Sequence, residues 1–405
     1  MKSIKEQIEF LSRGTSQIIN HQELENKLKL KRPLRVKLGV DPTAADVTLG
    51  WAVVLRKLRD FQTLGHTACL IIGDFTASIG DPSGKSKTRK QLTSEEIKQN
   101  VDSVLAQFFK ILDKDKTEVL FNNDWLGKMQ FKDIMELASR YTVARLLERD
   151  DFAKRIKEEK PIAMHELMYP LCQGYDSVHI KADVELGGND QLFNNLVGRT
   201  LMGQYGMEPQ VVMLCPLMVG TDGKEKMSQS LANYISIIDT PNEIYGKTMS
   251  IPDDLITNWY ELATDVPTSE INQMAQQMKE GVLNPRDAKR KLAKEIVSLY
   301  HNKEEAENAE RYFIETFTKR NQPVEAEEAT IPQELIQEGE IALPALISKL
   351  GMAKSNSEAR RLMSSGAVSI DNQKYQDPIQ KIHIKEIDNK ILRVGKKQFK
   401  RLIMK

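Results

Sequence analysis

The sequence predicts an α/β protein built on a parallel sheet, followed by a helical segment and a small basic domain. Three observations carry this. An alternating stretch, PLRVKLGV, and an apolar one, TACLIIGDF, flank a segment of helical period, the strand–helix–strand order of parallel neighbours. From Thr240 to about Arg320 the pattern is helical throughout. From Ile341 to Lys405 there are 14 Lys or Arg against 5 Asp or Glu, so +9 sits there and −8 elsewhere, within a net charge of +1. A basic end on a mildly acidic body points to nucleic acid at that end.

At 405 residues the chain is long enough for two or three domains, each with its own core. Cys69, Cys172 and Cys215 lie in apolar contexts without CxxC spacing, which fits buried thiols rather than a zinc site or disulfide framework. No apolar run is long enough for a bilayer, and MKSIKEQIEF is a charged helix-like start rather than a signal peptide, so a cytoplasmic location is expected.

In order, residues 1 to about 32 read as helix edged by Ile4, Ile8 and Leu11 and broken at Gly14-Thr15-Ser16. The first strand, Pro33 to Val40, leads through the polar turn of LGVDPTAADVTLGW into a helix with Val53, Val54, Leu58, Phe61 and Leu64 on one face. Ligands of such sheets sit at strand C-termini near helix N-termini, and a turn of Asp, Thr and Gly suits an anion. After the second strand, Gly73 to Lys85 is dense in Gly and small polar residues. Asp81 there suits an ammonium group, or the loop is an ordinary solvated turn. A charged, mostly helical insertion is expected at about 86–165, with a strand-like TEVLF inside. Tyr169, Gln173 and Asp176 then stand at i, i+4 and i+7, on one helix face, either as a ligand-binding trio or as a core aromatic beside helix-end polar groups. VHIKADVEL reads as a strand running into Gly187-Gly188-Asn189-Asp190-Gln191, and residues 211 to 235 as strand, loop TDGKEKMSQS and helix LANYI. The expected domains are 1–235, a helical domain 236–320, an acidic linker 321–335 and the basic domain 336–405.

DPTAADVTLGW resembles the nucleotide-binding signature of class I aminoacyl-tRNA synthetases, and its Asp-Pro-Thr-Ala is similar to the tyrosyl version. YPLCQGYD resembles that family's tyrosine-selecting helix, and KMSQS its second signature, about 180 residues after the first. The resemblance covers residues 1 to about 400. It implies a Rossmann-like sheet, a helical anticodon-side domain, and an α-L RNA-binding fold with Lys354, Arg360 and Arg361 on phosphates. It implies a tyrosine pocket of Thr76, Asp81, Tyr169, Gln173, Asp176 and Gln191. ATP would meet Gly39, Asp41, Gly50, Trp51, Gly188, Asp190 and Ser228, with Asp190 on the ribose. Thr43, Thr48, Lys226 and Gln229 take the catalytic places, where charge develops on pyrophosphate. The implied reaction is attack of the tyrosine carboxylate on the ATP α-phosphate, then transfer of the tyrosyl group to the 3'-terminal adenosine of tRNA. ATP with Mg as counterion, tRNA and a homodimer formed through the insertion are the implied partners, with no tightly bound cofactor and no membrane.

The family's first signature carries His-x-Gly-His, where this chain has Thr48-Leu49-Gly50-Trp51; the second carries another lysine, where this chain has Gln229. Asn189 stands where Thr or Ser is usual. None of the six histidines lies in either signature. The amino-acid positions are kept and the phosphate-facing ones changed. This pattern implies either a ligase with impaired activation or a non-activating paralogue that binds tyrosine, an analogue of it, or tRNA in a regulatory or biosynthetic role.

Overall fold

The computed structural model describes residues 2–41, 46–81, 94–318, 327–337, 339–371, 373–395 and 398–404, with backbone alone at 94–100 and 317–318. Thr43 therefore lies outside the described residues. Two compact units divide at Glu310 and Arg311.

The first unit opens with α1 (Ile4–Ser12), capped reciprocally by Ser3 and Glu6, and a short strand β1 (Gln17–Ile19) before α2 (His21–Leu28). Then follow β2 (Arg35–Val40), α3 (Leu49–Thr63), β3 (Thr67–Ile72), the single turn α4 (Thr76–Ile79), α5 (Ser94–Phe108) and β4 (Thr117–Phe121). Short helices α6 (Asn123–Leu126), α7 (Phe131–Ser139), α8 (Val143–Leu146) and α9 (Asp150–Lys157) lead to the long α10 (Met164–Ile180). After it come β5 (Val184–Gly188), α11 (Leu192–Gln204) and β6 (Val211–Cys215). The sheet order is β1-β6-β5-β2-β3-β4, parallel except for β1, which runs antiparallel to β6. The strand order reverses between β5 and β2, and this is where such sheets leave a crevice for a ligand.

Several expected boundaries move. The N-terminal helix is interrupted by β1, because Gln17 to Ile19 complete the sheet edge on β6. TEVLF is a strand of the main sheet, pairing with β3, so the helical insertion shrinks to the segment from α6 to α9. In VHIKADVEL the first three residues end α10, and β5 begins only at Val184. LANYI forms no helix; beyond a single tight turn at Gln229–Leu231, residues 235–237 run beside 47–49, with Leu49 N–H on the Ile235 carbonyl at 2.9 Å.

Helices α12 (Pro241–Met249), α13 (Ile256–Ala263), α14 (Thr268–Lys279), α15 (Pro285–Tyr300) and α16 (Lys303–Phe313) follow. Trp259 of α13 is fully buried and its indole donates to the Val219 carbonyl at 3.2 Å. Arg13 bonds the carbonyls of Thr264 and Val266. These ties place the helices up to Glu310 in the same compact unit as the sheet, rather than in a body of their own.

The second unit contains β7 (Glu327–Thr330), β8 (Ile336–Gln337), β9 (Glu340–Ala342), α17 (Leu343–Lys349), α18 (Asn356–Ser364), β10 (Val368–Ile370), β11 (Gln373–Lys374), β12 (Lys381–His383), α19 (Ile384–Ile387), β13 (Ile391–Val394) and β14 (Gln398–Ile403). Its sheets run β11-β10-β13-β14-β7 and β12-β9-β8, around a core that includes Leu343, Leu346, Ile347, Met363, Leu392 and Leu402. The expected linker 321–335 is thus shorter: Glu327 to Thr330 pair in parallel with Lys400 to Ile403. No described helix is long and apolar enough to cross a membrane.

Candidate active site

Two neighbouring groups of side chains surround the ends of β2 and β5. The first gathers on α10. Tyr169 and Asp176 are buried and Gln173 half-buried, all on this helix as the spacing predicts. The Tyr169 hydroxyl donates to Asp41 Oδ2 at 2.8 Å, and Thr76 Oγ1 donates to Asp41 Oδ1 at 2.9 Å. Asp41, expected among nucleotide contacts, thus bonds two residues expected in the tyrosine pocket. Gly73 makes this approach possible: a Cβ there would lie 2.0 Å from Asp41 Oδ1. Burial, with Asp41 and Asp81 close by, pushes the Tyr169 phenol well above its ordinary range and keeps it a donor at neutral pH.

Asp81 accepts from Gln191 Nε2 at 3.0 Å and from Arg149 at 3.2 Å. Asn194 links this pair to α10, donating to Gln173 Oε1 at 3.0 Å and to Gln191 Oε1 at 3.1 Å. At the other end of the group, Asp176 accepts from the Trp125 indole at 2.9 Å and from Asn122 at 3.4 Å. Burial raises its carboxyl to about 7, opposed by Lys37 and by the bonds from Trp125 and Asn122. Over Gly39 of β2 the space is open, since a Cβ there would meet nothing within 4 Å. Thr76, Tyr169 and Asp176 are thus linked through Asp41 and Asn122, and Asp81, Gln173 and Gln191 through Asn194.

Beneath it lies an ion pair that the sequence reading passed over. Lys37 and Glu185 are 0% and 1% exposed, with Nζ 2.8 Å from Oε1. The same ammonium donates to the Gln173 carbonyl and to Ser177 Oγ, both at 2.8 Å, so it also fixes α10.

The second group sits at the N-terminus of α3. Thr48 is the helix N-cap, buried, its hydroxyl accepting from Trp51 N–H at 3.3 Å. Trp51 turns toward α5 and stacks on Phe108, ring centroids 6.2 Å apart, leaving it 45% exposed. The Gly50 N–H meets the Met227 sulfur at 3.3 Å, so the loop after β6 lies over the helix start. Gln229 donates to the Asp46 carbonyl at 2.6 Å, and Lys226 pairs with Asp190 at 3.2 Å. Ser228 is held by its N–H on Asn233 at 2.8 Å. A Cβ on Gly188 would come within 2.8 Å of Asp190 Oδ1. Asn189 accepts from Ser16. Of the named residues here, Lys226 alone carries a positive charge.

In the second unit Lys354, Arg360 and Arg361 are exposed. The two arginines lie on α18, whose N-cap is Ser355.

A crevice where a parallel sheet reverses strand order is a nucleotide site, and here a polar pocket of carboxylates and a phenol adjoins it. The family matched over most of the chain is that of class I aminoacyl-tRNA synthetases. Residues 28–318 match the family described as tRNA synthetases class I (W and Y), and residues 324–402 match the tyrosine–tRNA ligase SYY-like C-terminal domain. The chain is 53% identical to the tyrosine–tRNA ligase of Carboxydothermus hydrogenoformans over 99% of its own length and 98% of the relative's. It is 50% identical to that of Moorella thermoacetica, over 99% and 96%. The crystal structure of the Archaeoglobus fulgidus tyrosyl-tRNA synthetase complexed with L-tyrosine shares the fold, with TM-score 0.63 and 24% identity over 76% of this chain and 100% of that one. The chain belongs to the tyrosyl-tRNA synthetase family, whose members join tyrosine to tRNA at the expense of ATP.

Sequence reasoning missed Lys37, Asn122, Trp125, Arg149 and Asn194. The one available signal was a lysine in the middle of a strand that both flanking helices cover.

Proposed function

We propose that this chain recognises tyrosine and tRNA as its family does, while its ATP-dependent activation step is slowed by Thr48, Trp51 and Gln229. The observation that carries this reading is an asymmetry: the expected tyrosine contacts are held in two hydrogen-bonded networks, whereas the phosphate-facing positions hold one cation and two neutral side chains already engaged with backbone. In this reading the phenol of tyrosine reaches Asp176, and its ammonium lies near Asp41, Asp81, Tyr169 and Gln191. Phenylalanine is rejected because it leaves the buried Asp176 unanswered. Mg enters as the counterion of ATP. Lys354, Arg360 and Arg361 meet tRNA phosphates, and the cytoplasm is the fitting location. Calorimetric titration with tyrosine and phenylalanine, beside pyrophosphate exchange, tests the reading; failure to bind tyrosine sinks it. Tyrosine binding with no exchange at any enzyme concentration would favour the wholly non-activating alternative.

The same titration carries a pH signature. A phenol O–H donating to Asp176 favours the ionised carboxyl, so binding lowers a folded-state value of about 7 and releases a proton near neutrality. Tyrosine affinity therefore rises with pH through about 7 and levels off above it. Asp176→Asn flattens this profile; a native profile flat from pH 5.5 to pH 8, on the order of the range chosen around an unperturbed histidine, speaks against it.

The helices from α7 to the start of α10 expose Phe131, Ile134, Met135, Val143, Ile156 and Met164. We assign this face to a second copy of the chain, as the resemblance implies. Sedimentation should show a dimer, and Phe131→Glu with Met135→Glu should weaken it by at least about tenfold, two buried charges being costly at an interface; a native monomer contradicts the assignment.

A further inference from the structure

We propose that Arg149 determines which ligand charges the amino-acid pocket accepts, by holding Asp81 as one half of an internal ion pair. This rests on the tyrosine reading above. Arg149 follows α8 in the helical insertion, yet its side chain is only 5% exposed and each nitrogen has a partner. One terminal nitrogen donates to Asp81 Oδ1 at 3.2 Å, the other to Asn194 Oδ1 at 3.2 Å, and Nε pairs with Asp151 Oδ1 at 2.8 Å. The guanidinium also lies 5.3 Å from the centre of the Phe152 ring. With each nitrogen held by a protein partner, Arg149 acts as a positioning residue through Asp81.

Its electrostatic consequence is specific. Asp81 and Asp151 feel each other's charge, and Arg149 stands between them. With Asp41 nearby, the pocket without Arg149 would present the carboxylates of Asp41 and Asp81 to its ligand without that cation. Such a pocket favours a plain amine and repels a carboxylate. With Arg149 in place the charge of Asp81 is countered, and a zwitterion, ammonium and carboxylate on one carbon, is admitted. The insertion thus selects an α-amino acid over an arylalkyl amine.

Three probes that share the phenol separate these charges: tyrosine, tyramine, which lacks the carboxylate, and 3-(4-hydroxyphenyl)propanoate, which lacks the ammonium. In Arg149→Met, affinity for tyramine should rise about tenfold and that for the propanoate fall about tenfold, with tyrosine changed less than about threefold. Arg149→Lys keeps the charge and should hold the native order. Asp151→Asn, which leaves Arg149 less neutralised and alters a residue outside the pocket, should move the order the opposite way, toward the propanoate. Equal weakening of all three probes in Arg149→Met, or an unmoved order in Asp151→Asn, overturns the inference and leaves the tyrosine reading intact. A native chain that binds none of the three overturns both.

Discussion

Tyrosine-dependent exchange of labelled pyrophosphate into ATP should rise by about four orders of magnitude when Thr48→His, Trp51→His and Gln229→Lys are made together. Activation gains little from covalent help; the barrier is lowered by positioning and by donors aimed at charge that develops on the departing pyrophosphate. Each missing donor of that kind costs roughly 3 kcal/mol in the transition state. The structure sharpens the argument beyond residue type. The Thr48 hydroxyl oxygen is held as the cap of α3 by Trp51 N–H, which fixes its short side chain at the helix start, and the Gln229 amide donates to the Asp46 carbonyl. A histidine at 48 has the reach to cap and extend past the helix end, and a lysine at 229 restores a full charge beside Lys226. Trp51→His also gives up the stack on Phe108, a loss of about 1 kcal/mol that a melting curve would register. If the restored variant exchanges no faster than the native chain, the phosphate-facing positions are not what limits activation.

The second large effect concerns stability. Lys37→Met should destabilise the first unit by about 3–5 kcal/mol, because it strands Glu185 in a dry interior. Glu185 also accepts from Ser177 and Gln210, bonds suited to an ionised carboxylate and insufficient to replace the lost cation. Lys37→Met with Glu185→Gln should recover most of the loss, since no unpaired charge is then buried. The single substitution should abolish tyrosine binding as well, the ammonium being what fixes the Gln173 carbonyl and Ser177 on α10. Urea unfolding followed through the first unit reads the effect; a loss under about 1 kcal/mol would mean that water reaches Glu185.

Local pattern made the central unit legible. The run from β2 through α3 to β3 announces itself by period, and Tyr169, Gln173 and Asp176 share a helix face because three and four residues make a turn. What escaped was set by distant pairing. β1 is three residues long and owes its conformation to β6, nearly 200 positions away, on the order of distances that no local window spans. The middle of β2 alternates in polarity, yet Val36, Lys37 and Leu38 are all buried, as in a parallel sheet covered on both faces. Arg149 lies in a charged run, ERDD, that reads as solvated until Asp81 and Asn194 are brought to it by the fold. Asp41 was assigned to the nucleotide by its place in a signature, while its carboxylate bonds Thr76 and Tyr169.

The most direct test is a single experiment on the native chain: equilibrium dialysis with tyrosine, followed in the same samples by addition of ATP and rapid-quench measurement of tyrosyl-adenylate. The account predicts that tyrosine binds and phenylalanine does not, and that adenylate then forms about four orders of magnitude more slowly than in the restored variant. Adenylate formation by the native chain at the restored variant's rate would contradict it.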